Sequence, residues 1–485
     1  MSEFLLQDIK DAQESGSPTN FQSAIEELLE GGKKSHWIWY VLPQLRSLGR
    51  SRLAQRYGIP DLKVAQKYLE DEVLYIRLKL VASIIFQQIY DQKLSLRQLM
   101  GSDIDETKAI SSLTLFEIAG LKVATPILDR TGRCLKTISQ ISNPTSQQDL
   151  FTAGKNHTQR RGLILGKFAP FHKGHQHLIE TALSEVDELI VLIYQAKQTT
   201  DIPLETRARW IEILYPQVKV IRGVDGPELF GDSSEIKTIQ EDYVLNTLGI
   251  RGITHFYSSE FYGEHMSKAL GAINRVVDSS RTTFPISGTS IRTNPTIGRD
   301  WLDPIVYKDT IHNIVFLGGP GTGKTTVVKK LAEVHQTNFM SEYGREYWEK
   351  NAVNRRLSKH QLLELALIHI QMEDSLLETS NKFLFTDTNA LTTYLFSNYY
   401  HNGALPALEK LAINCFQRYK TVFLCDADFP YPDTEDRSGE GNRILLQDQT
   451  YKALQNLGIK FTLLSGSLDK RVETVSMILA KNGEG

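Results

Sequence analysis

Two short stretches carry the residue types that phosphate chemistry needs. In the first, Gly166-Lys167-Phe168-Ala169-Pro170-Phe171-His172-Lys173-Gly174-His175, two histidines spaced HxGH follow the apolar run GLIL. Imidazoles at a strand-to-helix turn, together with helix N–H donors, stabilise negative charge developing on a triphosphate without a covalent intermediate. About 115 residues downstream, Ile286-Ser287-Gly288-Thr289-Ser290-Ile291-Arg292 sets small hydroxyls and a guanidinium at a helix start, a second phosphate-receiving element. Each motif alone also suits a plainer role: ordinary histidines, like neighbouring His177, or a capped helix.

The second stretch, Gly318-Gly319-Pro320-Gly321-Thr322-Gly323-Lys324-Thr325-Thr326, fits GxxxxGK[ST] between the strand-like HNIVFL and the helical TTVVKKLAEVH. Its glycines let backbone N–H groups converge on phosphate oxygens at the positive end of a helix. Lys324 is expected to reach the β- and γ-phosphates, and Thr325 to ligate Mg²⁺. Asp387 ends the apolar KFLFTD, where its carboxylate serves either that cation or as the cap of a helix starting near Asn389. The polar segment Asp426–Arg443 is read as a closing lid whose Arg437 and Arg443 neutralise a transferring phosphoryl group, or as a surface loop.

Both motifs require a strand on one side and a helix on the other, and the surrounding periodicity supplies them. Gly162–Leu165, Glu188–Tyr194, Val218–Ile221 and Ile253–Tyr257 are predicted strands, interleaved with helices such as Gln176–Ser184 and Leu204–Leu214. The theme repeats with strands at Asn313–Leu317, Lys382–Thr386, Thr421–Cys425 and Lys460–Leu464. The fold class expected is therefore α/β, with two doubly wound parallel-sheet modules that bind ligands at the carboxyl ends of their strands. Residues 1–138 read as mainly helical, with helices at Phe21–Leu29, Leu62–Leu69 and Leu74–Tyr90. The expected division is a helical accessory domain at 1–138, a polar linker at 139–160, and α/β modules at 161–298 and 310–485.

A chain of 485 residues suits about three domains. Hydrophobic residues at 41% leave ample material for their cores. A net charge of -2 provides no global positive field for nucleic acid or an acidic membrane, and a homo-oligomer is left open. Cys134, Cys415 and Cys425 are too few and too dispersed for a disulfide scaffold or a metal cluster, which fits a reducing cytoplasm. No uninterrupted run of about 18 apolar residues suggests a membrane span.

GKFAPFHKGH with ISGTSIR resembles the HxGH nucleotidyltransferase superfamily, and within it the NadR-type nicotinamide-mononucleotide adenylyltransferases. Further matches are ETRARW (Arg207, Trp210), YSSEFYGE (Ser259, Glu260, Tyr262) and VDSSRTTFPISGTSIR (Asp278, Arg281). The next module is similar to the ribosylnicotinamide kinase half of the same family, through GGPGTGKTT, EYGREYWE (Glu342, Tyr343, Arg345, Glu346) and FTDT. The resemblance covers roughly residues 160–480. It implies that the kinase phosphorylates nicotinamide riboside with ATP, and that the mononucleotide then attacks the α-phosphorus of a second ATP to give NAD and pyrophosphate, with Mg²⁺ in both steps. By the same resemblance, Gly166, Lys167, Phe168, His172, His175, Ser287, Thr289 and Arg292 hold ATP in the transferase. Arg207, Trp210, Ser259 and Glu260 hold the mononucleotide, Trp210 either stacking the nicotinamide ring or filling the core. In the kinase, Glu342, Tyr343 and Arg345 face the riboside. A different nucleotidyltransferase, acting on pantetheine phosphate or nicotinate mononucleotide, stays open. So does a nucleotide-sensing regulator of NAD metabolism.

The first 138 residues show no legible helix-turn-helix. KKSHWIWYVLPQLRSLGRSRLAQRYGI with DETKAISSLTLF resembles an uncharacterised family of small, mostly helical bacterial domains that sometimes carries a calpastatin label. The matching residues include His36, Trp37, Trp39, Pro43, Gln44, Lys108, Ser111 and Ser112. Lys33, Lys34, Arg46, Arg50, Arg52 and Arg56 place positive charge beside tryptophans and a tyrosine. That composition suits an NAD or ADP-ribose type ligand, or else solvated helix faces around core tryptophans.

Overall fold

The computed structural model describes residues 2–15, 19–49, 51–142, 160–227, 233–259, 263–351, 356–428 and 439–481. It divides into two compact units, 1–307 and 308–485.

The first unit opens with helices whose starts are set by short polar side chains. Asn20, Asp61, Asp71 and Ser102 each accept the N–H three residues on, capping Phe21–Leu29, Leu62–Glu70, Glu72–Tyr90 and Asp103–Ala119. The Asp71 cap sets the start of the helix Glu72–Tyr90 two residues before the Leu74 at which the apolar pattern predicted it. Phe21, Leu28, Tyr68, Leu78, Ile85 and Phe116 fill the bundle interior, with the Tyr68 and Phe116 rings 4.8 Å apart. Glu72–Tyr90 is long and apolar enough to cross a membrane by length and composition, but more than half of that window is buried inside the protein. It is the central helix of the bundle's core.

The rest of this unit is a parallel sheet of β1 (Arg161–Gly166), β2 (Glu188–Tyr194), β3 (Lys219–Gly223), β4 (His255–Ser258) and β5 (Ile273–Val276), in the order β3-β2-β1-β4-β5. Leu163 on β1 is level with Ile190 on β2 and with Phe256 on β4. Buried on both faces, β1 and β2 read as continuous apolar runs. Chain direction across the sheet reverses between β1 and β4, so a crevice opens beyond their carboxyl ends. The sequence pattern missed β5, an edge strand whose four residues are all exposed and carry no apolar alternation.

The second unit repeats the design with β6 (His312–Leu317), β7 (Phe339–Met340), β8 (Phe383–Asp387), β9 (Thr421–Cys425) and β10 (Thr462–Leu464), ordered β10-β9-β6-β8-β7 and all parallel. Ile314, Phe316, Phe385 and Phe423 from the sheet pack with Val328 and Leu331 of the helix Lys324–Val334. The two-residue β7 is too short to leave a periodic signal.

Candidate functional sites

In the first unit, β1 runs into the turn 167–172, and His172 occupies the N-cap position of the helix Lys173–Glu185. The backbone N–H of His172 donates to Nδ1 of His175 at 3.2 Å, and the two rings stack with centroids 3.7 Å apart. Phe171 lies parallel to His175 at 5.9 Å, and Phe168 meets it edge-on at 5.0 Å. Both imidazoles are thus fixed by aromatic contacts. Burial, reinforced by the charge of Arg281, pushes the His172 pKa down to about 4. Burial also holds His175 well below the ordinary histidine range, helped by His172 and Arg281. Nδ1 of His172 is buried without a hydrogen-bond partner. Neutral rings held this way present nitrogens, not charges, to an incoming phosphate.

The second element meets the first directly. Ser287 caps the helix Gly288–Thr293, its hydroxyl accepting from the N–H of Ser290 at 3.0 Å. Arg292 donates to the carbonyl of Ala169 and, at 3.0 Å, to Oγ1 of Thr289. A Cβ on Gly288 would lie 2.9 Å from that same carbonyl oxygen, so only glycine allows the approach. Lys167 donates to Oγ1 of Thr199 at 3.1 Å, at the end of β1. Ser259 follows the last residue of β4, beside β1, at the crevice. Glu260 and Tyr262 lie outside the described residues.

Two residues expected at the mononucleotide sit elsewhere. Arg207 is fully buried and its guanidinium is spent on carbonyls: Lys167, Tyr194 at 3.0 Å and Ile202 at 3.2 Å. It ties the ends of β1 and β2 to the helix Leu204–Leu214 and does not present itself to a ligand. Trp210 is 0% exposed and fills the core, so the stacking alternative is corrected for this structure. In contrast, the loop 278–284 gains weight. Burial alone would raise the pKa of Asp278, but the N–H groups of Thr283, Phe284 and Thr282 outweigh it and hold the carboxylate below the ordinary range. That carboxylate shapes the loop bearing Arg281, whose charge both histidines feel.

In the second unit, β6 enters the loop 318–323 and the helix Lys324–Val334. Gly318 has φ +140° and a Cβ there would meet the Cys425 carbonyl at 2.7 Å, so the first loop glycine is obligatory. Thr322 Oγ1 donates to the Gly319 carbonyl at 2.9 Å, and Lys324 Nζ donates to the carbonyls of Gly318 and Gly319 at 3.1 and 3.0 Å. Gln447 grips the loop by accepting from Gly319 N at 2.7 Å while donating to Cys425 O at 3.0 Å. Arg471, 2% exposed, donates to Thr322 O at 2.7 Å and pairs with Asp428. Neither Gln447 nor Arg471 left a motif in the sequence; each acts through position alone.

Asp387 ends β8 level with Phe316 on β6 and accepts from Oγ1 of Thr325. Its other oxygen is buried and unpartnered. Burial pushes its pKa up to about 6, with Lys324 opposing and Glu342 adding to the rise. The alternative capping role falls away, because Asn389 itself caps Ala390–His401 by accepting from Leu391 N at 3.1 Å. A threonine hydroxyl and one carboxylate with a spare oxygen are hard oxygen donors of the kind Mg²⁺ accepts when phosphates complete its shell, so the residues fit that ion. Glu342 and Tyr343 follow β7, and Arg345 lies in the helix Gly344–Asn351; Glu342 and Arg345 are exposed, Tyr343 half-buried. Arg443 is buried, its carbonyl close against Gly319, while Arg437 is outside the described residues.

Four of the basic residues near the N-terminus are engaged by partners within their own domain. Lys33 pairs with Asp105 at 2.7 Å, Arg56 with Asp8 at 2.6 Å, Lys34 with Glu30, and Arg46 donates to the Gly58 carbonyl. Trp37 is fully buried and donates to Glu27 at 2.7 Å. Trp39 is half-buried under Lys108, whose Nζ lies 3.8 Å from the ring centre. Arg50 lies outside the described residues.

Fold and sites together define a two-module transferase: a nucleotidyltransferase followed by a P-loop kinase. Residues 163–294 match the cytidylyltransferase-like family, 313–471 the AAA domain family, and 3–131 a family described as a protein of unknown function (DUF1810). The Trifunctional NAD biosynthesis/regulator protein NadR of Salmonella typhimurium is 28% identical over 313 residues, spanning 61% of this chain and 74% of that protein. A nicotinamide-nucleotide adenylyltransferase of Methanocorpusculum labreanum is 51% identical over 43 residues, 9% of this chain and 26% of its own length. Among solved structures, a NadR protein in complex with NAD and AMP-PNP covers 67% of this chain and 96% of its own, at 20% identity and a TM-score of 0.45. Over its two α/β modules the chain is similar to NadR proteins, and it carries a further N-terminal domain that matches the family of unknown function.

Proposed function

We propose that this chain makes NAD from nicotinamide riboside in two steps, in the cytoplasm, using one ATP at each site. In the first, a riboside hydroxyl attacks the γ-phosphorus of ATP at the loop 318–325; the bond to ADP breaks, and the hydroxyl proton leaves to a nearby carboxylate. Lys324 exchanges the loop carbonyls for phosphate oxygens, and the loop N–H groups cradle them. Thr325 and Asp387 would hold Mg²⁺, which supplies charge neutralisation across the phosphates. In the second, a phosphate oxygen of the mononucleotide attacks the α-phosphorus of ATP, and pyrophosphate leaves. His172, His175, Ser287, Thr289 and Arg292, with Lys167 alongside, stabilise the negative charge that builds on the departing group. Ser259 borders the mononucleotide's side of the crevice.

The observation that carries this proposal is the pairing of two complete phosphate-handling turns, each at the carboxyl end of a central strand in its own parallel sheet. The names of the relatives, NAD biosynthesis/regulator protein and nicotinamide-nucleotide adenylyltransferase, support the choice of substrates. Purified protein given ATP, Mg²⁺ and nicotinamide riboside is expected to release ADP, pyrophosphate and NAD. Pyrophosphate and NAD from mononucleotide without any riboside turnover would remove the kinase assignment.

A further inference from the structure

Among the buried polar atoms of the kinase module that the phosphate site does not use, those of His369 and Asn389 fall at one level of the fold. Met340 on β7 pairs with Thr386 on β8. Glu342 follows two residues after Met340, past the end of β7, as Thr388 and Asn389 follow Asp387 past the end of β8. The helix Lys359–Leu377 runs alongside, and Leu365, His369 and Glu373 recur every four residues on one of its faces. Two contacts fix where that face lies. Glu373 accepts from the side chain of Asn313, which in turn accepts from Thr386 Oγ1 at 2.8 Å. One end of the face is therefore at the level of Thr386. At the other end, a Cβ on Gly344 would lie 3.9 Å both from Oε1 of Glu342 and from Cδ2 of Leu365. His369, one turn from each, falls at the level of residues 387–389.

Two side chains at this level, beside the Asp387 oxygen assigned above to Mg²⁺, have a buried polar atom with no hydrogen-bond partner: Nε2 of His369 and Nδ2 of Asn389. They are 6% and 3% exposed. Folded proteins leave few such atoms unpaired, and a cluster of them beside a phosphate-binding loop marks a seat for a polar ligand. The charge of Glu342 is felt by both His369 and Asp387.

Resting on the phosphoryl-transfer assignment above, we propose that His369 and Asn389, together with Glu342, line the acceptor pocket and select an unphosphorylated nucleoside. The donor set argues for that class. A buried imidazole held neutral, an amide N–H and a carboxylate match sugar hydroxyls and an uncharged or cationic ring. None of the three offers the positive charge that a 5′-phosphate would need on entry.

Conservative variants of the full-length enzyme test this. Asn389→Asp keeps an oxygen for the helix cap but replaces the spare donor with an acceptor, and His369→Phe keeps a ring without its nitrogens. Each is expected to raise KM for nicotinamide riboside about tenfold, the scale of one lost buried hydrogen bond, with KM for ATP within about twofold. His369→Gln, which returns a nitrogen, should recover most of the loss. Adenylyl transfer by the same polypeptide reports folding of the other module, and ATP affinity reports folding of this one; should His369→Phe fail there, Asn389→Asp decides alone. Riboside KM within twofold of wild type in a folded variant, or an equal rise in KM for ATP, would overturn the pocket. A wild-type enzyme inert towards riboside would instead overturn the functional assignment on which the pocket rests.

Discussion

The two proposed phosphate sites solve one electrostatic problem with different materials. The P-loop is made of backbone: Gly318 takes a positive φ that packs it against the Cys425 carbonyl, and Gln447 and Arg471 clamp the loop at Gly319 and Thr322. The histidine site is made of side chains: two neutral imidazoles stacked on each other, with Phe171 parallel to His175 and Phe168 edge-on to it, closed by Arg292 on the carbonyl of Ala169. A backbone cradle tolerates little change at Gly318 and Gly319, because a Cβ on either would meet a carbonyl oxygen. A side-chain cradle depends on protonation state and ring packing, so its sensitivity lies in pH and in the groups that surround the rings.

The largest contrast is expected from steric substitution. Gly319→Ala would bring a Cβ within 2.6 Å of the Arg443 carbonyl. Riboside phosphorylation should fall by roughly a hundredfold or more, as for other displaced positioning elements, while adenylyl transfer stays within about twofold. Steady-state assays of both steps on one preparation check this.

A smaller but sharper contrast is expected in pH. Asp387 must be ionised to bind Mg²⁺, and its pKa is raised to about 6, so the carboxylate form is lost as pH falls through that value. At limiting Mg²⁺, kinase activity should drop about tenfold per pH unit below 6. His172 stays neutral until pH approaches about 4, so adenylyl transfer should hold through the window in which the kinase fails. Coincident acid limbs would erase the distinction. The same depressed pKa has a stability consequence. Between pH 6.5 and about 4 the unfolded chain binds a proton at His172 that the folded chain does not, so its contribution is complete above 6.5 and lost on acidification. The expected loss is roughly 3 kcal/mol. Comparing acid melts of wild type and His172→Asn isolates it.

The smallest effect belongs to the seam between the helical domain and the transferase sheet. Asp91 and Arg209 meet there at 3.2 Å with both side chains part-exposed. Asp91→Ala should cost less than about 1 kcal/mol in thermal unfolding and leave both reactions unchanged.

The sequence disclosed the backbone site more fully than the side-chain site, for a physical reason. A P-loop is specified by local spacing, so Gly318 to Thr325 could be read off with their strand and helix. HxGH and ISGTSIR were legible as two pieces, but their contact depends on Arg292 reaching Ala169, a tertiary event with no local signature. The loop shaped by Asp278 was visible only as a family match, since one carboxylate gathering three N–H groups leaves no periodicity. Arg207 and Trp210 went the other way. Their residue types suggested ligand contacts, whereas the spacing of an amphipathic helix turned both inward. Strands β5 and β7 escaped because one is wholly exposed and the other two residues long.

The central claim is that two separate sites act on two different phosphorus atoms, and paired single substitutions test it most directly. Lys324→Ala is predicted to reduce riboside phosphorylation about a thousandfold while mononucleotide adenylylation proceeds within about twofold of wild type. His175→Ala is predicted to do the reverse, with about a hundredfold loss at the adenylylation step. Folded variants in which either substitution silences both reactions to the same degree would contradict the account.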